Sequence, residues 1–205
     1  WASGTTGEFA TLPDDQRIIS IETVVDEVAS RVPLIGNVSK GGTLLTIDLA
    51  NQLRDSGLDG IAATPPYYYS CSQGELLEHY RRIKDRSGAP LWVYNIPSTV
   101  KTVVEPATIA RLAAEGTVVG VKDSSGAGEL LAELNFLCEA GGLHLWRFLG
   151  SIFRTASTRG VGAHGVIPGL SNLVPGIAVK AWEAAEAGDA GTAQHHLARL
   201  VTASR

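Results

Sequence analysis

Short β-rich runs return along this chain at a nearly fixed interval, and that alternation limits its fold more than any other feature. The runs lie at 33–38, 60–64, 90–95, 117–121, 144–149 and 162–167. They read as parallel strands, buried on both faces. Helical stretches fall between and after them, at 13–29, 44–56, 73–87, 106–115, 129–140, 153–159, 174–187 and 190–203. In the first of these Ile18, Ile21, Val25 and Val28 share a face, and Thr11 with Asp14 predicts a capping box. Strand starts step by about 27 to 30 residues for most of the chain, one βα unit each. A (β/α)8 barrel and a doubly wound open sheet both permit that step. No GxGxxG follows a strand and no GxxxxGK[ST] occurs, so the nucleotide-binding open sheets lose their signature and the barrel leads. With 1–3 as the tail of a further strand the count is about seven, one short of closure. No linker or low-complexity stretch divides residues 1–205, which predicts one α/β domain.

Composition narrows the partners. The chain is 44% hydrophobic but only 6% aromatic, so the apolar material is mainly Ala, Val, Leu and Ile, as a layered core needs. A net charge of −4 with no basic stripe gives no reason to expect nucleic acid or an anionic membrane, and leaves small metabolites. Cys71 and Cys138 lack any CxxC or Cys/His spacing, which predicts no disulfide framework, no metal site and a reducing, cytoplasmic setting. No apolar run reaches membrane length and no signal-peptide pattern opens the chain. The sequence has no Met and begins at Trp1, so it reads as a fragment or a processed chain.

In a barrel, chemistry sits at the C-terminal ends of the strands. Lys122 follows the strand 117–121 directly. Partial desolvation there would lower its pKa toward that of a Schiff-base nucleophile; spacing alone favours a solvated strand-end lysine or one paired with Asp123. Tyr94 ends the preceding strand, either as a proton shuttle or as a core-capping ring. The turn at 4–8 offers Gly4, two hydroxyls on Thr5 and Thr6, and backbone N–H groups suited to a carboxylate. An aromatic cluster, Thr64-Pro-Pro-Tyr-Tyr-Tyr69, closes a further strand. Trp92 and Trp146 read as core residues, and the His195–His196 pair as solvated.

Five motifs in order, GTTGE at 4–8, TPPYYY at 64–69, YNIP at 94–97, GVKDSSG at 120–126 and GVIPGLSN at 165–172, run nearly the length of the chain. Together they resemble the class I pyruvate-dependent lyases, the family of dihydrodipicolinate synthase, N-acetylneuraminate lyase and the 2-keto-3-deoxy sugar acid aldolases and dehydratases. The resemblance implies a (β/α)8 barrel whose Lys122 forms an imine with pyruvate or another 2-keto acid, without metal or other cofactor. It further implies that Thr5 and Thr6 hold the carboxylate and that Tyr94 moves protons. Tyr67 would match the tyrosine that enters a neighbouring subunit's site, requiring a homodimer or homotetramer. Ile167 would match the residue whose carbonyl approaches the lysine. Against this family the chain lacks the first strand and helix and the C-terminal helices.

Members that make dihydrodipicolinate place an Arg where this chain has Thr99, which lowers the rank of that synthase activity. Members that handle sugar chains carry acidic residues just past a Gly, where this chain reads Gly150-Ser151-Ile152-Phe153. An aldolase acting on pyruvate and an aldehyde therefore leads. A 2-keto-3-deoxy sugar acid dehydratase, the synthase itself and a non-catalytic 2-keto acid-binding paralogue follow.

Overall fold

The computed structural model describes residues 1–126, 128–153 and 159–203. In chain order its elements are α1 (Asp14–Val28), β1 (Ile35–Asn37), α2 (Thr43–Gln52), β2 (Gly60–Ala63), α3 (Gln73–Ser87), β3 (Leu91–Asn95) and the single turn α4 (Pro97–Val100). Then follow α5 (Pro106–Ala114), β4 (Gly120–Asp123), α6 (Glu129–Gly141), β5 (Trp146–Leu149), β6 (Gly165–Val166), α7 (Pro175–Glu186) and α8 (Ala190–Ala203). The predicted helix at 153–159 falls mostly outside the described residues.

All six strands pair in parallel in the order β1 to β6. Ala2 adds a parallel bridge to Gly36 beyond β1, so the expected tail of a strand at 1–3 is present as one bridging residue. The sheet is a parallel six-stranded half-barrel. β6 is shorter than the run 162–167 predicts because Gly162 takes φ 68°, in the left-handed region, and turns the chain there.

Helices cover the outer face of the sheet. Leu91, Val93, Val121 and Leu149 pack with Leu76 and Ile83 of α3, Ile109 and Leu112 of α5, and Leu131 and Leu134 of α6, all fully or almost fully buried. Each such side chain contributes about 1.5–3 kcal/mol by leaving water. Alternate strand residues face inward, where bulk is matched by its absence. A Cβ on Gly120 would lie 2.4 Å from the Trp92 ring, and one on Gly165 would lie 2.7 Å from Phe148. Trp92 is therefore core, as predicted. Trp146 is not: it is 55% exposed, since it opens β5 at the N-terminal end of the sheet, where the His164 ring meets it edge-on at 5.1 Å.

α3 carries a complete capping box between Ser72 and Glu75 and ends on Gly88 in the left-handed conformation. α1 does not carry the predicted one. Its N-cap is Pro13 without a side-chain hydrogen bond, and the Thr11 hydroxyl donates instead to the Glu8 carbonyl at 2.9 Å. Glu8 sits at φ 56°, which folds the loop back on itself and places that carbonyl within Thr11's reach. No helix among the described residues is long and apolar enough to cross a membrane.

Candidate active site

Strand register builds the centre of the site. Tyr94 of β3 pairs with Lys122 of β4, and Lys122 with Phe148 of β5, so phenol and amine stand side by side on the inner face. Neighbouring residues point the other way. There Asn95 donates to Asp123 at 2.7 Å, and Ser125 donates to the other oxygen of that carboxylate at 2.7 Å. Asp123 is thus committed behind the sheet, and no ion pair among the described residues involves Lys122. Its ammonium nitrogen lies 4.4 Å from the centre of the Tyr94 ring and 5.1 Å from that of Trp1. Burial among these rings lowers its pKa to about 8.

The 4–8 turn follows the Ala2 bridge and brings its hydroxyls over the end of the sheet. Thr5 Oγ1 is 2.9 Å from the Tyr94 hydroxyl. Burial raises the Tyr94 pKa, while hydrogen bonds from Thr5 and Ser124 oppose the rise. The Gly4 carbonyl accepts the amide of Gly7 at 3.0 Å, closing the turn. Thr6 packs against Gly169, where a Cβ would come 2.5 Å from its hydroxyl, so the loop after β6 and the loop after Ala2 meet. A cavity of about 630 Å³ opens beneath them, lined by Thr5, Thr6, Lys122, Ile167, Pro168 and Ser171 among others.

The remaining candidates spread wider. Gly150 and Ser151 border a separate hollow of about 80 Å³ with Asp123 and Ser124. Gly150 is there for steric reasons, since a Cβ would meet the Ser124 hydroxyl at 2.0 Å. Thr99 sits on α4 and turns its hydroxyl back to the Ile96 carbonyl at 3.1 Å. Tyr67 is half-buried, its ring 6.2 Å from Phe9, and packs against the cluster of Tyr94, Ile96 and Val100. The outward-facing rings are Tyr68 and Tyr69, 79% and 77% exposed. Ser124 and the Asn95–Asp123 pair escaped the sequence reading, although Ser124 lies within GVKDSSG. No group of His, Cys, Asp and Glu among the described residues could hold a metal ion.

This arrangement can desolvate an amine, hand protons along two hydroxyls and seat a small carboxylate beside them. The profile of the dihydrodipicolinate synthetase family matches residues 1–203. A 4-hydroxy-tetrahydrodipicolinate synthase of Geobacter metallireducens is 34% identical over 198 residues, covering 96% of this chain and 67% of the relative. The 4-hydroxy-tetrahydrodipicolinate synthase 1 of Streptomyces coelicolor is 34% identical over 191 residues, 93% of this chain and 61% of its own length. Among solved structures, the E. coli K12 prophage protein YagE in complex with pyruvate superposes with a TM-score of 0.87 at 26% identity, over 97% of this chain and 67% of that one. The chain thus spans about two thirds of the length of these proteins. It belongs to the dihydrodipicolinate synthetase family.

Proposed function

We propose that this chain is the catalytic part of a class I lyase that condenses pyruvate with an aldehyde, or reverses that step, through an imine on Lys122. The observation that carries the reading is the register pair Tyr94–Lys122, with the amine buried and the phenol 2.9 Å from Thr5. Unprotonated Lys122 adds to the keto carbon of pyruvate, and loss of water gives a protonated imine. Removal of a proton from the methyl group sends its electron pair into the imine and forms an enamine. The enamine carbon attacks the aldehyde carbon, the new alkoxide takes a proton, and water releases the product and the amine. Tyr94 and Thr5 are the proton carriers, Thr6 and the amides of Thr5 and Thr6 hold the carboxylate, and the lysine supplies the electron sink. Borohydride added to the full-length protein with pyruvate tests this: a 1-carboxyethyl group should appear on Lys122, and an unmodified Lys122 would refute it.

The names of the relatives favour a second, narrower reading, a 4-hydroxy-tetrahydrodipicolinate synthase. The Thr99 hydroxyl, bound to its own helix, supports instead an aldehyde that carries no carboxylate. Turnover of a panel of aldehydes, charged and neutral, separates the two.

Tyr68 is the better candidate than Tyr67 for reaching a second subunit, because it is 79% exposed while Tyr67 is half-buried beside Phe9 and the Tyr94 cluster. One further strand between Ala2 and β6 would complete the cylinder around Lys122.

A further inference from the structure

Arg17 is 1% exposed in α1, yet it takes part in no ion pair among the described residues. Asp14 acts on it only through space, because Lys40 holds that carboxylate at 2.5 Å. The guanidinium lies 5.4 Å from the Phe9 ring, and its Nε is buried without a hydrogen-bond partner among the described residues. A charge kept this way is poorly explained by stability, since an apolar side chain of similar size would avoid the desolvation cost.

Its two hydrogen bonds point to a different role. Nη1 donates to the Ser39 carbonyl at 3.0 Å and Nη2 to the Asn37 carbonyl at 2.7 Å, gripping the end of β1. From that end two loops are held, the one after Ala2 and the one after β2. Asn37 Nδ2 donates to the Ser3 carbonyl at 2.8 Å, and the amide of Thr64 donates to Ser39 Oγ at 2.8 Å. Ser39 Oγ itself donates to Asn37 Oδ1 at 2.5 Å, which locks the two together. Ser3 needs such a hold. It is a non-glycine residue at φ 54°, a conformation that persists only where its surroundings impose it. Thr5 follows two residues later.

We propose that Arg17 is a positioning residue for proton transfer: by fixing Asn37 and Ser39 it holds Ser3, and through Ser3 it sets Thr5 against Tyr94. The proposal rests on the reading of Lys122 and Tyr94 given above.

A double-mutant cycle on the full-length enzyme tests it, with R17K, T5V and R17K/T5V. Two rates are measured, capture of pyruvate on Lys122 by borohydride and exchange of the pyruvate methyl protons with solvent. R17K keeps a charge but cannot fork to two carbonyls. It should be captured as wild type is and lose about ten- to a hundredfold in exchange. In the T5V background the same change should cost no more than about twofold, because the positioned group is already gone. N37D, which gives Arg17 a carboxylate to pair with but removes the donor to Ser3, should reproduce the R17K loss in a well-folded protein. An equal R17K factor in both backgrounds overturns the proposal. So does a fall of capture and exchange in step with the folded fraction seen by circular dichroism. Absence of capture in the wild type would instead remove the lysine reading, and the positioning role with it.

Discussion

At Lys122 function and stability pull against each other. Burial lowers the amine's pKa from 10.5 to about 8, so the nucleophilic form grows as pH rises through 8. The rate of pyruvate capture should climb over that range and level off above it, which stopped-time borohydride trapping measures. The linkage has the same sign. Between pH 8 and 10.5 the unfolded chain holds a proton that the folded lysine has lost, so this residue's destabilising effect is complete below pH 8 and is relieved as pH approaches 10.5. Lys122→Met should therefore abolish capture and yet raise stability at pH 7 by on the order of 2 kcal/mol in denaturant melts. Tyr94→Phe should leave capture nearly intact while slowing proton exchange by about a hundredfold or more. Lys122 and Tyr94 could be singled out in the sequence because each ends or follows a run of apolar positions, whereas Thr5 could be singled out only through the GTTGE motif. Arg17 was not, because within a helix pattern a charged residue reads as solvent-facing, and only the fold shows that this one turns inward.

Elements carry the site by steric matching and by their ends. Gly120 and Lys122 share the inner face of β4, and Trp92 leans over Gly120. A methyl group there must displace the indole or the strand, at a cost of about 1–3 kcal/mol. Gly120→Ala should lower the melting temperature and slow pyruvate capture together, because the displaced strand also bears the lysine. The helix ends show how far local pattern reaches. Ser72 with Glu75 and Thr11 with Asp14 have the same hydroxyl-to-acid spacing, and only the first pair caps a helix. The difference lies in Glu8, whose left-handed backbone offers Thr11 a nearer acceptor. Spacing records which partners are available, while the path of the preceding loop decides which one is used. Ser72→Ala should accordingly cost about 1 kcal/mol, and Thr11→Ala should leave α1 unaffected in the same thermal melts.

Across the whole molecule, the stepping of strands and helices foretold the parallel sheet in its order, while shape at the open rim required coordinates. Three consecutive tyrosines are indistinguishable as letters, but the fold gives them separate fates, with Tyr67 against Phe9 and Tyr68 and Tyr69 stacked edge-on in solvent at 4.9 Å. On α2, Leu44 and Leu45 add further exposed apolar surface, 66% and 56% open to water. Large rings held out in this way gain most when another surface removes them from water, each burying roughly 150–250 Å². If Tyr68 is the residue that reaches a second subunit, Tyr68→Ala in the full-length protein should weaken self-association at least tenfold by sedimentation velocity and reduce proton exchange in parallel. Tyr67→Phe should alter neither, because the phenyl ring that packs on Phe9 is kept. Unchanged association in Tyr68→Ala would assign this rim to the monomer, and Thr5 and Tyr94 would then have to complete the proton path on their own.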